Sequence, residues 1–402
     1  MMRSSLRRAV LLLVSLAVVA CTEVTRQSIS PDPATKPLQQ FSVLTYNTLH
    51  GLEVGSFSVK LGESKEERAK RYALQFEQLA QVAPDVMLLQ EVNPLPEMAE
   101  AYVEGLSALG LAYTEVHQVD ACGIRLTPRA ALFSDLNNGL AVLAKAPLIV
   151  SKVAGIKLSG GIGLCRDGIG FQFGELRYAL IAEVTNPGTR QTLLAVSLHL
   201  HSGIERDHHF MNLIAEAEQQ DRIRREDYQE ILTALAEGQR RRIKELRTLV
   251  QELEKLRAAT SYAGVIIGGD FNFEPGSPEY QELTAIGLND SYIFAEPDRQ
   301  LRSYNPQKNP IASQEPFAPP PELTRAIRRL PEDVQQKILD AYREGISEAR
   351  RIDFLFSMPG TLSRKDYCLR QELFGKPHVV SLRAGSDHYG VLNTYVLDPA
   401  QC

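Results

Sequence analysis

The 402-residue chain contains no tryptophan and only five cysteines. Tryptophan is a common anchor at the membrane interface, so an aromatic hairpin inserting into lipid is not expected. The cysteines, Cys21, Cys122, Cys165, Cys368 and Cys402, include no CxxC pair, which speaks against a structural zinc site. A basic surplus is missing too. The formal net charge is −5, whereas proteins that bind long nucleic acid usually carry excess Lys and Arg to meet phosphates. The uncharged run Ala9–Ala20 falls short of the about 20 apolar residues that span a bilayer. Internal repeats and low-complexity tracts are also missing, which excludes a solenoid.

What is present is enough apolar material, 44% of residues, for a large core. One large α/β domain with insertions is expected. Its N-terminus carries Arg3, Arg7 and Arg8 before the apolar run, and small residues before Cys21, the pattern of a signal peptide. Val18-Val19-Ala20-Cys21 resembles a bacterial lipobox. The expectation is a signal peptide over 1–20, lipidation at Cys21 and a polar, Pro-containing tether over 21–40. The protein would then be an exported, membrane-anchored lipoprotein on the periplasmic or cell-surface side. Thr22 in place of Asp suits the outer membrane where one exists. Loss of three Arg with the leader leaves a mature charge of about −8. A monomer is expected. Four cysteines beyond Cys21 in an exported chain suggest one or two disulfides, and Cys122–Cys165 with Cys368–Cys402 is a guess rather than a deduction.

Short runs rich in β-branched residues recur at 41–47, 85–92, 139–145, 178–184, 192–200, 262–272, 351–357 and 387–397. Bounded by Gly, Pro and Asn, they read as buried strands. Residues 64–82 read as a helix capped by Ser64, with Tyr72, Phe76 and Leu79 on one face. The pattern predicts a layered α/β (α+β) fold with mixed sheets over about 41–398. Two helical insertions interrupt it, at about 204–260 and 315–349. The first has Ile243, Leu246, Leu249, Val250, Leu253 and Leu256 at helical spacing. It reads as a hairpin or one long helix, with Gly238 a candidate break. The second is a Pro-rich loop at 315–321 followed by a charged helix from about 322 to 349. Both read as solvated helices on the core, or as a lid.

The chemistry-bearing residues stand at strand ends. Asn47 and His50 follow FSVLTYN, and Glu91 ends DVMLLQEV. His199 and His201 end TLLAVSLHLH, Asp270 and Asn272 end GVIIGGDFN, and Asp353 lies in RIDFLFS. Ser386, Asp387 and His388 lie in AGSDHYG. A carboxylate or imidazole at the mouth of a buried strand is costly unless paired or bound to metal. One such residue is commonly a satisfied core group, whereas six strand ends together read as a site. Its oxygen-rich, cysteine-free character suits Mg²⁺, with Mn²⁺ or Ca²⁺ also compatible.

The ordered set TYN, LQEV, SLHLH, GGDFN, RIDFLF and SDHYG resembles the endonuclease/exonuclease/phosphatase superfamily over about 41–397. That resemblance implies two packed β-sheets flanked by helices, a four-layer sandwich with its site at one end, and metal-dependent hydrolysis of phosphate esters. It implies Asn47, Glu91 and Asp387 at the metal, with Glu91 the principal ligand. It also implies Asp270 orienting or deprotonating water, Asn272 holding water and phosphate, and His199 and His388 on the phosphoryl oxygens. Asp353 would orient His388. Arg177 is a candidate phosphate contact or a surface arginine, and Asn138 a turn residue near the site. His50 and His201 are weaker candidates, and His208 and His209 are expected to be solvated.

Substrate choice is less legible. The acidic mature chain, the expected anchor and the segment HLHS at 199–202, similar to that of neutral sphingomyelinases, favour a phosphodiesterase of sphingomyelinase or phospholipase-C type. The region after HLHS is much longer here than in those enzymes. Membrane lipid is the preferred substrate, with nucleic acid or a small soluble phosphate ester as alternatives.

Overall fold

The computed structural model describes residues 40–51, 63–122, 125–127, 130–131, 136–163, 172–202, 208–294, 301–314, 319, 321–358, 368–377 and 384–396. The leader, Cys21, the tether to residue 39, Cys165, Cys402 and most of the 315–321 loop lie outside them, so the calls on those segments do too. Among the described residues no helix is long and apolar enough to cross a membrane.

In chain order the first elements are β1 (Gln40–Asn47), α1 (Lys65–Val82), β2 (Val86–Val92), α2 (Glu97–Ala108) and β3 (Tyr113–Cys122). Next come β4 (Arg125–Thr127), β5 (Ala130–Ala131), β6 (Asn137–Lys145), β7 (Ile149–Gly163), β8 (Gln172–Thr185) and β9 (Thr192–His199). Two helices, α3 (His208–Gln219) and α4 (Arg225–Ala259), precede β10 (Gly264–Asp270), α5 (Pro278–Ala285) and β11 (Asn289–Asp290). The chain continues with α6 (Pro321–Ile327), α7 (Glu332–Ile346), β12 (Asp353–Ser357), β13 (Cys368–Phe374) and β14 (Gly390–Val396).

Two six-stranded mixed sheets result, in the orders β13-β14-β1-β2-β6-β3 and β11-β12-β10-β9-β8-β7. Each has one parallel pair at its centre, β1 with β2 and β9 with β10. The central strands are apolar on both faces because both faces are covered. Val43, Val86, Leu88 and Val142 of the first sheet meet Leu180, Ala195, Ile266 and Leu355 of the second in a buried apolar layer. The outer face of the first sheet packs Leu44, Tyr46, Met87 and Leu89 against Tyr72 and Leu79 of α1 and Tyr102 of α2. The outer face of the second packs Val196, Leu198 and Ile267 under Leu246, Leu249 and Leu253 of α4. Burying each large apolar side chain is worth about 1.5–3 kcal/mol, so these three layers account for most of the cohesion and form the expected four-layer sandwich.

Gly268 sets how closely the sheets approach. A Cβ there would lie 2.6 Å from Leu88 Cδ1 and 2.8 Å from Leu355 Cδ2, so a side chain would push the layers apart just below the polar end.

Helix α1 starts as its sequence predicts. Ser64 accepts from Glu67 N–H and the Glu67 side chain returns to Ser64 N–H, a complete capping box. The insertions differ from expectation in two details. Gly238 does not break α4, which runs 35 residues without interruption. A mid-helix Gly costs only about 1 kcal/mol, and buried Leu235 and Leu246 on either side hold the helix. The 322–349 segment is two helices rather than one, because Pro331 cannot continue α6 and instead caps α7.

The insertions also pack on each other. Ile214 of α3, Ile231 and Leu235 of α4, Leu323 and Ile327 of α6, and Val334, Ile338 and Tyr342 of α7 form a separate apolar cluster. The apolar contacts of α4 with the second sheet come from its C-terminal half, Leu246, Leu249 and Leu253. Cys122 and Cys368 are both disulfide-bonded. Their strands lie at opposite edges of one sheet, about five strand spacings of ~4.8 Å apart, so they do not pair with each other.

Candidate active site

Topology brings the polar strand ends together. The parallel strands β1 and β2 finish at one end of the first sheet, and β9 and β10 finish at the same end of the second. β12 and β14 run antiparallel to β10 and β1 and start there. At this end Asn47 Nδ2 of the first sheet donates to Asp270 Oδ2 of the second at 3.1 Å. Beneath it the interior turns polar, with Gln90 Nε2 donating to Ser197 Oγ at 3.0 Å across the layer.

Glu91 is aimed by a break in the ladder. The β2–β6 register shifts between Leu89 and Val92, and Glu91 sits at φ 57°, a left-handed conformation that costs a non-glycine residue about 1–3 kcal/mol. Leu49 (φ 62°) and Asn272 (φ 52°) share that conformation, so the backbone is strained on three segments of this one site. Asn47 Nδ2 donates to Glu91 Oε1 at 3.0 Å. His50 donates its backbone N–H to Oε2 at 2.9 Å and places Nδ1 2.5 Å from the same oxygen. Burial pushes the Glu91 carboxyl up, but the His50 charge and bond outweigh it and hold the acid well below its ordinary range.

Asp270 faces the opposite pressure. Burial and then the neighbouring Asp353 raise its carboxyl to about 7, although His388 and Asn47 act against them. Its Oδ2 lies 3.7 Å from His388 Nε2 and 3.6 Å from His199 Nε2, and its Oδ1 accepts the Asn272 N–H at 3.0 Å. His388 Nδ1 bonds Asp353 Oδ2 at 2.9 Å. Burial disfavours the charged imidazole, yet Asp353, Asp387 and Asp270 together raise it well above its usual value. His199 also reaches toward Glu91, with Nδ1 3.9 Å from Oε1.

Residues without any sequence signal hold this pair in place. Ser303 Oγ accepts the N–H groups of Ile352 and Asp353 at 3.1 and 3.0 Å, and its carbonyl accepts Tyr389 N–H. The Tyr304 ring lies 5.2 Å from that of His388. Asn309 Nδ2 donates to the carbonyls of Ser386 and Asp387 at 2.8 and 3.0 Å. Ser386 Oγ donates to the Asn47 carbonyl at 2.7 Å and lies 2.9 Å from Asp387 Oδ1. On the α1 side, Gln75 Nε2 bonds the carbonyls of Thr48 and Gly385.

Every residue expected at the site is therefore at this end: Asn47, Glu91, His199, Asp270, Asn272, Asp353, Asp387 and His388. His50 joins it through Glu91. Asn138 is buried on the inward face of β6, and its Oδ1 has no hydrogen-bond partner among the described residues. Arg177 is buried, not superficial. By strand alternation it shares the outer face of β8 with Ala179 and Ile181, opposite Ser159 and under α4. The side chains of His208 and His209 lie outside the described residues.

The donor set fits a divalent cation. Glu91, Asp270, Asp353 and Asp387 place four buried or nearly buried carboxylates at one end, and burial, then the charge of Asp353, raises the Asp270 carboxyl. Asp270, Asp353 and His388 each offer a ligand atom within 4.8 Å of the others. In that trio Asp353 already bonds the imidazole of His388, an arrangement that aims a histidine, and Glu91 in turn is bonded by His50 and Asn47. As oriented, Asn47 donates its amide nitrogen to both carboxylates, so its oxygen becomes a ligand only if the amide turns over.

Two mixed sheets face to face with an Asp–His–Asp set at one end define a hydrolase fold of a recognisable kind. Residues 44–388 match the Endonuclease/Exonuclease/phosphatase family, and the chain belongs to it. Members of that family are hydrolases acting on phosphate esters and generally use a divalent metal. Among solved structures, TDP2 of Caenorhabditis elegans is similar at 15% identity and a TM-score of 0.51, over 89% of this chain and 75% of that one. Its truncated form gives 15% identity and a TM-score of 0.50, over 89% and 97%. A mannosyl-6-phosphatase of Bacteroides thetaiotaomicron gives 14% identity and a TM-score of 0.49, over 89% and 99%. At these identities the likeness is one of fold. No curated protein matches the chain.

Proposed function

We propose that the protein is a metal-dependent phosphodiesterase that acts on a lipid phosphodiester outside the cytoplasm. The observation that carries the chemistry is the Asp353–His388–Asp270 series, in which one imidazole is aimed by a carboxylate at 2.9 Å and faces a second at 3.7 Å. A buried Asp–His pair fixes the tautomer and directs the other ring nitrogen, here Nε2, outward as a donor. His388, kept protonated by its acidic neighbours, donates to a non-bridging oxygen, and His199 supports a second. Asp270, raised to about 7, is suited to take a proton from an in-line water near neutral pH. Asn272 stands beside it to orient water and phosphate. Glu91, with Asn47 and Asp387, would hold the cation, Mg²⁺ by preference for hard oxygen ligands, which would supply charge neutralisation on the phosphoryl group.

The lipid reading rests on the acidic mature chain, the lipobox-like Cys21 and the sphingomyelinase-like HLHS segment. The test is hydrolysis by the chain starting after Cys21, with Mg²⁺ or excess chelator, on sphingomyelin vesicles and plasmid DNA in parallel. His388→Ala serves as control. Metal-dependent phosphocholine release without nicking is the expected result. Nicking with intact lipid replaces this reading by a surface-tethered nuclease, and activity on soluble esters alone by a phosphatase.

A further inference from the structure

Helix α4 enters the sequence as an insertion, yet it grips the chain two residues beyond His199. Glu245, with no exposed surface, accepts the backbone N–H of His201 through Oε2 at 3.0 Å. Its other oxygen takes the hydroxyl of Ser159 and lies 3.3 Å from Arg241 Nε. Three residues earlier on the helix, Arg242 donates Nη1 to the His201 carbonyl at 3.2 Å. The same guanidinium pairs with Glu279 at 2.8 Å, both side chains being almost wholly buried.

Glu279 stands in the first turn of α5, the helix that follows the Asp270–Asn272 segment. Leu200, between His199 and His201, is tied to that segment directly. Its N–H donates to the Asp270 carbonyl at 2.9 Å, and its carbonyl accepts Asn272 Nδ2 at 3.1 Å. All four backbone polar groups after His199 are thus engaged, two by the Asp270–Asn272 segment and two by α4.

A buried ion pair is a poor stabiliser, since well-packed apolar residues of similar volume serve as well or better. What the charges add is direction. A carboxylate on the amide and a guanidinium on the carbonyl of one residue fix both its place and its peptide planes. The imidazole of His199 stands 3.6 and 3.9 Å from its carboxylate neighbours, so a small shift of the backbone beneath it changes both distances. The geometry points to Glu245 and Arg242 as positioning residues that set the His199 imidazole by clamping His201. Through Glu279 the same helix holds the Asp270 segment in register. This rests on the reading of His199 as a phosphate contact. It makes α4 part of the active-site architecture.

The test compares Glu245→Ala, Glu245→Gln and the double variant R242M/E279M with wild type. Three quantities are read: cooperative melting, kcat and KM on whichever phosphate ester the wild type hydrolyses, and the ¹H–¹⁵N ring signals of His199, assigned with His199→Gln. Glu245→Ala and the double variant are expected to melt cooperatively, lose about 10–100-fold in kcat with little change in KM, and shift the His199 signals. Glu245→Gln, whose amide oxygen can accept the same N–H, is expected to restore most of both. A folded Glu245→Ala with wild-type kcat and unmoved His199 signals overturns the proposal and leaves Glu245 structural. If Glu245→Ala does not fold, the double variant, which removes both buried charges at once, decides on the same criteria. If the wild type hydrolyses no ester, the functional reading fails, and the His199 signals alone decide the positioning role.

Discussion

Asp270 and Asp353 stand directly opposite each other in the β10–β12 ladder, and both lean on His388, one from each ring nitrogen. Two carboxylates in register at the end of a buried sheet would repel unless something stood between them. The imidazolium does, and the arrangement makes the three residues one electrostatic unit.

Breaking that unit at its outer member is informative. Asp353→Asn keeps the shape but offers His388 Nδ1 an amide in place of a carboxylate, which favours the wrong tautomer and removes charge support. Turnover is expected to fall by about 10²–10⁴ with the circular dichroism spectrum unchanged. Turnover within a few-fold of wild type would falsify the assigned role.

Asp270 makes a prediction about stability and pH. Its folded carboxyl is raised from 3.8 to about 7, so the folded state binds the proton more tightly than the unfolded state. This contribution is fully present below about pH 4 and is lost as pH rises toward 7, because the folded state must then carry a buried charge it disfavours. In chelator, Asp270→Asn is therefore expected to melt above wild type at pH 8, and the gap should close by pH 5, while activity is lost. An Asn variant that melts lower at pH 8 would count against the raised acid.

Glu91 is expected to carry the cation. Glu91→Gln should weaken Mg²⁺ or Mn²⁺ binding at least about tenfold in calorimetric titration. In wild type, saturating ion should raise stability by about 2.7 kcal/mol at a hundred times Kd, an increment that falls to about 1.4 kcal/mol or less in the variant at the same concentration. Equal binding by both proteins would move the ion elsewhere, toward the Asp270, Asp353 and His388 trio.

The scaffold beside Asp270 has its own test. Phe271 is buried among Phe273, Phe354 and Phe356, with ring centroids 5.2–5.5 Å away. Phe271→Ala should cost about 3–5 kcal/mol in denaturant unfolding. Less than about 1 kcal/mol would mean the cluster collapses into the space.

The strands that carry the site were legible because burial on both faces makes them uninterrupted apolar runs ending in a polar residue. FSVLTYN and GVIIGGDFN announce both the strand and its business end. Strands β3, β7 and β13 were not anticipated. YTEVHQVDAC mixes polar residues on one half-exposed face, and CLRQELF is short and charged, so neither stands out from loop sequence. The eight-residue site set was legible as a family pattern. Its support was not: Ser303, Tyr304 and Asn309 lie in a segment without periodicity and act through single bonds to distant backbone. Glu245 and Arg242 sit on a helix rich in charge, where only the fold tells a buried acid from a solvated one.

The apolar cluster shared by α3, α4, α6 and α7 has an evolutionary consequence. The two insertions lie far apart in the chain, yet each covers the other's greasy side. Trimming either one alone would strand apolar surface in water and invite aggregation. A homologue that lacks the first should lack the second as well, and a chimera that transplants them should succeed only when both travel together. They are two interruptions in the gene and one heritable module in the protein.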